Sequence, residues 1–368
     1  MHKKLFIPGP TEVKSDVLKK MSTPLIGHRG KEASSLQRSI SQKLQKIMFT
    51  NNEILLSTSS GSGLMEGAIR SCTCNKAAVF ACGAFGERWY EMAQANQVKA
   101  DCFRVEYGQA IRGEMVENVI NGGKYDLVTI THNETSTGVM NPIKEIADVV
   151  KKHEDIVFCV DAVSSFGGVK IPVDELGIDV CITSSQKCIG LPPGFSLCSI
   201  SEKALQAAKK VKYRGMYFDL LKLYEYLKKK DYQYPSTPSI SHMFALDYQL
   251  NLILEEGIDD RCKRHKEMAN IVRNWANKNF SLFPKEEFAS DTVTCITNNQ
   301  GISITKLNQK LGERGYEISN GYGKLKNQTF RIAHMGDITI EEITELLNII
   351  DEILEQEDIE DDYYTYKR

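Results

Sequence analysis

No apolar run in this 368-residue sequence approaches the roughly 20 residues that a membrane-spanning helix needs. The first one, Leu5-Phe6-Ile7, stops at Pro8-Gly9-Pro10, too short for the core of a secretory signal. A dominant charge is also missing. Lys+Arg total 46 against 48 Asp+Glu, and a formal net charge of -2 offers no broad basic field to track a nucleic-acid backbone. Proline is scarce at 10 residues and there are no internal repeats, which excludes collagen-like and solenoid architectures. Paired cysteines are lacking as well. Cys72-Thr73-Cys74 is the one close pair among ten, with no second pair or spaced histidine doublet to complete a zinc site. Cys82, Cys159, Cys181 and Cys198 sit in apolar runs, as buried reduced thiols do, so a cytoplasmic protein is expected.

What is present is an ordinary globular composition, 42% hydrophobic and 26% charged, on a chain too long for one core. Between about 53 and 200, short apolar runs alternate with amphipathic segments, which predicts an α/β fold with a parallel sheet between helices. Strands are predicted at 53–57, 77–81, 100–105, 127–131, 156–160, 180–183 and 195–199. Several are apolar almost throughout, as strands buried on both faces are. Leu36, Ile40, Leu44 and Ile47 recur at helical spacing in 34–48, after a Pro/Gly-containing arm that reads as extended. Helices are predicted at 240–256 and 259–279, separated by Gly257. Strands at 292–297 and 329–333 and helices at 304–314 and 340–353 then form a smaller α+β unit. The expected organisation is an arm (1–15), a large domain (16–257) and a small C-terminal domain (258–368), whose acidic, tyrosine-rich tail (355–368) reads as a solvated end.

In open α/β sheets ligands bind beyond the carboxyl ends of the strands, so the loops after the strands come first. Ser59-Ser60-Gly61-Ser62-Gly63 runs into a helix, and backbone N–H groups at a helix start with small side chains make a phosphate cradle. The loop lacks a P-loop lysine and a dinucleotide fingerprint, and alone it reads equally as a flexible turn. Asp161 ends a buried strand, where a carboxylate requires a cation or hydrogen-bond donors; capping the next segment is the plainer reading. Lys187 follows the next strand. Most lysines are solvated, but a tight Gly190-Leu191-Pro192-Pro193-Gly194 turn follows this one. His132-Asn133-Glu134-Thr135-Ser136 puts amide and hydroxyl groups at another strand end, to bind a ligand oxygen or to cap a helix.

Phosphate cradle, strand-end carboxylate and strand-end lysine, in that order, form a joint pattern. The chain resembles the class V aminotransferases of the fold-type-I pyridoxal-phosphate enzymes, most closely the serine–pyruvate and alanine–glyoxylate branch. The resemblance runs from Pro8-Gly9-Pro10-Thr11 through Gly27-His28-Arg29, the glycine-serine loop, 132–138, 161–165 and Ser185-Gln186-Lys187 to Phe330-Arg331-Ile332, nearly the whole chain. It implies pyridoxal 5'-phosphate as cofactor, with Lys187 as the Schiff-base lysine and Asp161 on the pyridine nitrogen. It further implies Ser60, Gly61 and Ser62 on the phosphate, Phe85 stacked on the ring, and Thr135 and Gln186 at the phenolic oxygen. Arg331 matches the arginine that grips the substrate α-carboxylate, with Gly9 and His28 on the substrate side. Tyr234 and Thr237 match residues that reach the phosphate from a neighbouring subunit, which implies a homodimer with active sites at its interface. The reaction implied moves an amino group from a small donor to a 2-oxo acid such as glyoxylate or pyruvate.

Two rivals share the cofactor. Asn141-Pro142-Ile143 and Ser164-Ser165-Phe166-Gly167-Gly168 also resemble aminoethylphosphonate–pyruvate aminotransferases, although Gln186 and Gly27-His28-Arg29 fit the first branch better. A cysteine desulfurase would stack a histidine where Phe85 stands and would carry a mobile cysteine late in the chain, where Cys295 is the last one.

Overall fold

In the computed structural model, which describes residues 2–356, the chain builds two sheets. Strands β1 (Lys4–Phe6), β2 (Glu53–Ser57), β3 (Ala77–Ala81), β4 (Ala100–Arg104) and β5 (Leu127–Thr131) come first. Two-residue strands β6 (Asn133–Glu134) and β7 (Val139–Met140) follow, then β8 (Val157–Asp161), β9 (Val180–Ser184) and β10 (Ser196–Ile200). The C-terminal part adds β11 (Ser281–Leu282), β12 (Val293–Thr297), β13 (Tyr316–Asn320) and β14 (Thr329–Ala333). The early helices are α1 (Ser15–Met21), α2 (Lys31–Met48), α3 (Gly61–Cys72) and α4 (Ala84–Ala95).

Seven strands form one sheet in the order β2-β10-β9-β8-β5-β3-β4, with only β10 antiparallel to its neighbours. These are the seven predicted strands, shifted at their ends by a residue or so. The apolar character of β3, β5 and β8 follows from burial on both faces. Leu56, Phe80, Ile130 and Val160 enter one core cluster, while Leu55, Val79, Leu127 and Cys159 enter another on the opposite face. The carboxyl ends of β2, β3, β5, β8 and β9 share one edge, which is the crevice side.

The second sheet has the order β1-β13-β14-β12-β11 and covers a separate core of Phe330, Ile332, Leu307 and Leu346. Its outer strand β1 comes from the N-terminal arm and pairs parallel with β13, Lys4 opposite Tyr316. Sequence patterning did not predict β1 or β13, because a three-residue strand and the half-buried Tyr316-Glu317-Ile318-Ser319-Asn320 carry little periodic signal. The helices Ile240–Glu256 and Ile258–Asn279 meet at Gly257, which adopts φ +82 as a left-handed stop requires. The last helix runs to Gln356, beyond the predicted 353; from 357 on, the tail lies outside the described residues. No helix among the described residues is long and apolar enough to cross a membrane.

Candidate active site

Lys187 is delivered by a single wide turn, Ser185–Ile189, at the end of β9. Gly190 closes it at φ +79, and Leu191 N–H donates back to the Ser185 carbonyl at 2.9 Å. The N-terminal arm lies directly on the lysine. The Lys187 amine donates to the Pro8 carbonyl, Thr11 Oγ1 donates to the Lys187 carbonyl at 3.1 Å, and a Cβ on Gly9 would sit 2.6 Å from Nζ. Only a glycine, here at φ +99, lets the arm approach so closely. Burial pulls the Lys187 amine down to about 8; the Arg331 and Arg88 charges add to this and Asp161 opposes it.

Asp161 ends β8 opposite Thr131 of β5 and is only 4% exposed. Its Oδ1 accepts the Val163 N–H at 2.9 Å and Oδ2 accepts the Thr131 hydroxyl at 3.5 Å. Burial pushes this carboxyl up to about 6, with the Glu134 charge adding and the Val163 bond and Lys187 opposing. No cation stands within ion-pair distance of it among the described residues, and a buried carboxylate is costly to charge without one.

The glycine-serine loop enters α3 at Gly61, where an added Cβ would lie 2.6 Å from Val163 Cγ2 and 3.5 Å from Ser184 Oγ. That Ser184 hydroxyl is buried without a partner, and so is Gln186 Oε1. Ser60, Gly61, Ser62, Phe85 and Thr135 line one cavity of about 180 Å³ together with Asp161, Gln186 and Lys187. The structure thus brings together eight of the residues that sequence singled out. Arg331, on β14, lies outside this lining and is 7% exposed; its Nη1 donates to the Thr135 carbonyl, which joins it to the same wall. Gly9 reaches the site through Lys187. His28 is half-buried and does not line the cavity. Tyr234 is buried, its hydroxyl accepting the Thr58 N–H at 3.4 Å behind the loop, and Thr237 is exposed.

These observations decide the family once set beside known proteins. The class-V aminotransferase family model matches residues 5–343. The chain belongs to that family. Amino-group transfer is therefore its class of reaction. An uncharacterized aminotransferase of Methanocaldococcus jannaschii is 41% identical over 91% of this chain and 88% of its own length. A protein named as the small subunit of a soluble hydrogenase, from Synechococcus sp., is 32% identical over 95% of this chain and 92% of its own. A serine–glyoxylate aminotransferase of Methylorubrum extorquens is 30% identical over 91% and 86%. Among solved structures, ureidoglycine–glyoxylate aminotransferase from Bacillus subtilis superposes with a TM-score of 0.90 at 26% identity, covering 98% of this chain and 96% of that one. Alanine–glyoxylate aminotransferase from Nostoc sp. shares the fold at a TM-score of 0.91 and 24% identity, covering 96% of each.

Three groups in this class-V site were not read from the sequence. Glu134 is fully buried and accepts N–H bonds from Phe85 (3.0 Å), Gly86 (2.9 Å) and Ser136 (3.1 Å) and the Ser136 hydroxyl (2.5 Å). It thereby fixes the start of α4, which carries Phe85. Arg88, one turn on, lies over the Phe85 ring at 4.7 Å and donates to Ser62 Oγ at 3.3 Å. Arg261 is buried and ties Glu256 and Asp337 to the carbonyls of Gly167 and Cys188, which bolts the Lys187 turn to the C-terminal helices. Only the arrangement of loops in space reveals these roles; the sequence signal was the polar cluster 132–136 alone. Replacing Glu134 by glutamine leaves one oxygen for four donors. Glu134→Gln is expected to lower unfolding free energy by about 1–3 kcal/mol in urea denaturation, and wild-type stability would refute the anchoring role.

Proposed function

We propose that this chain transfers the amino group of a small donor, of the alanine or serine type, to a 2-oxo acid such as glyoxylate or pyruvate, with pyridoxal 5'-phosphate as cofactor. The observation that carries the reading is one cavity with a low-pKa amine at Lys187 and a cation-free buried carboxylate at Asp161. The residues fit that cofactor. Ser60, Gly61 and Ser62 line the cavity where α3 starts, with no room for a side chain at Gly61, which suits a phosphate there, and the cavity-lining Gln186 has an Oε1 without a partner.

When bound, pyridoxal phosphate supplies a protonated ring conjugated to the donor nitrogen, which withdraws electrons from the donor Cα. Asp161 would keep the ring nitrogen protonated. Lys187 would hold the cofactor's aldehyde carbon and, once freed, move a proton from the donor Cα. Ser60, Gly61 and Ser62 would hold the phosphate, Phe85 the ring face, and Thr135 and Gln186 the phenolic oxygen. Arg331 would grip the α-carboxylate: its guanidinium is nearly buried and its hydrogen bonds go to carbonyls, of Asn320 and Thr135, with no carboxylate beside it among the described residues. Gly9 and His28 are placed on the substrate side by resemblance alone.

Cys295 argues against a desulfurase. It is buried inside β12, burial pushes its thiol up to about 11, and its sulfur faces the Ser136 carbonyl at 4.0 Å. A homodimer is part of the proposal, with Tyr234 and Thr237 serving the partner's phosphate. Exposed Leu25 (73%), Tyr213 (77%) and Met216 (77%) support it as apolar surface of the kind that assembly covers. A cytoplasmic setting accords with ten free thiols. We place the domain boundary near Gly257, with the arm contributing β1 to the smaller unit's sheet.

The test is a donor panel. Cofactor-loaded protein is mixed with alanine, serine, aspartate or 2-aminoethylphosphonate, and the visible absorption of the bound cofactor is followed. Alanine or serine is expected to bleach it, and glyoxylate or pyruvate to restore it. Bleaching by the aminophosphonate alone would overturn the donor class; bleaching by none would overturn the transaminase reading.

A further inference from the structure

Tyr322 lies just outside the cavity lining and touches two of its residues, Phe85 and Arg88, as well as Arg331. It lies between Gly321 and Gly323 in the turn after β13, 37% exposed. The turn is tight: a Cβ on Gly321 would fall 2.0 Å from the Leu325 carbonyl oxygen, and Gly323 adopts φ +55. From this turn the Tyr322 ring reaches across to α4. Its centroid is 5.3 Å from that of Phe85, and Arg88 Nη2 donates to its hydroxyl at 3.2 Å. On the other side, Arg331 Cζ lies 5.6 Å from the same ring centroid. One side chain therefore touches the proposed ring-stacking residue, a guanidinium in the cavity wall and the proposed carboxylate anchor.

The remaining approaches to Arg331 are filled. Nε and Nη2 donate to the Asn320 carbonyl at 3.1 and 3.0 Å, and Nη1 donates to the Thr135 carbonyl at 3.2 Å. Behind it, Cys295 is its partner residue across β12 and β14. A molecule that reaches Arg331 from the cavity accordingly meets the Tyr322 ring.

We propose that Tyr322 determines specificity, its ring forming the wall that limits the donor side chain and its hydroxyl bond to Arg88 holding that wall closed. The inference rests on Arg331 as the carboxylate anchor. An amino acid gripped there has Cα one bond from the carboxylate, so Cβ and whatever follows it come against the ring. Hydrogen, methyl or hydroxymethyl side chains are expected to be accepted, and branched or aromatic ones rejected. The substrate class is thus amino acids with short side chains.

The experiment compares kcat/KM for alanine and phenylalanine with one acceptor in the wild type, Tyr322→Ala and Tyr322→Phe. Tyr322→Ala is expected to raise the phenylalanine-to-alanine ratio about tenfold or more, the scale on which pocket volume discriminates. Tyr322→Phe keeps the ring, loses the hydroxyl bond and is expected to fall between the two. The ratio cancels any common loss of active protein. An unchanged ratio in Tyr322→Ala, even with overall activity reduced, makes Tyr322 a structural residue only and overturns the proposal. Wild-type turnover of no amino acid would sink the function reading instead, and that outcome is separable because it appears before any substitution.

Discussion

Lys187→Ala is expected to retain fold and pocket yet lose about 10⁴-fold in kcat, the upper end of what a positioned general acid–base group supplies. The cofactor should then be removable by dialysis, since no amine remains to hold it covalently. A small primary amine added to the variant should restore part of the rate, which a merely misfolded protein would not do. Activity within tenfold of wild type would overturn the assignment of Lys187. The same amine sets a pH dependence. Its pKa in the fold, about 8, lies below the ordinary 10.5, so the free base dominates above about pH 8. Covalent uptake of cofactor by the apo-protein should rise with pH through a midpoint near 8 and then level off, whereas a midpoint near pH 10 would mean that burial does not depress the amine.

The second large effect is at Asp161. Asp161→Asn keeps the shape and removes the charge, and kcat should fall about 10³-fold, as when a preorganised electrostatic partner is deleted. Stability of the apo-protein should move the other way. The carboxyl is raised from 3.8 to about 6 in the fold, so its protonated form is the favoured one. The contribution from that protonated form is fully present below about pH 4 and is lost as pH rises through 6. Above pH 6 the wild-type apo-protein carries a penalty on the order of 2–3 kcal/mol that asparagine does not. Apo Asp161→Asn should therefore melt higher than apo wild type at pH 7 and alike at pH 4. Adding cofactor should narrow or reverse the gap, because a cationic ring nitrogen offsets the buried charge in the wild type only. Equal melting of the two apo-proteins at pH 7 would contradict the desolvated state of Asp161.

The large sheet was legible because both of its faces are buried: an apolar run such as Ala77–Ala81 admits few other readings. Ligands bind beyond the carboxyl ends of such strands, and Asp161, Lys187 and the loop entering α3 at Gly61, all at strand ends, do share one cavity. Contacts between distant segments were not legible. Nothing local in Pro8-Gly9-Pro10 tells that its backbone will cover the Lys187 amine, and nothing in Gly321-Tyr322-Gly323 tells that the ring will reach α4. The role of Glu134 is illegible for a related reason. Its four donors come from the turn into α4 and from Ser136, so its role exists only after β6 and α4 have been brought together.

The pairing of Lys4–Phe6 with Tyr316–Asn320 has a consequence for biosynthesis. A chain emerging from the ribosome presents Lys4–Phe6 long before the strand that will receive it exists, so β1 stays unpaired while the strands of the larger sheet are made. The outer strand of the smaller sheet is accordingly among the last parts to be fitted, and until then only Thr11, bonded to the Gln186 and Lys187 carbonyls, and the Pro8 carbonyl tie the arm over the Lys187 amine.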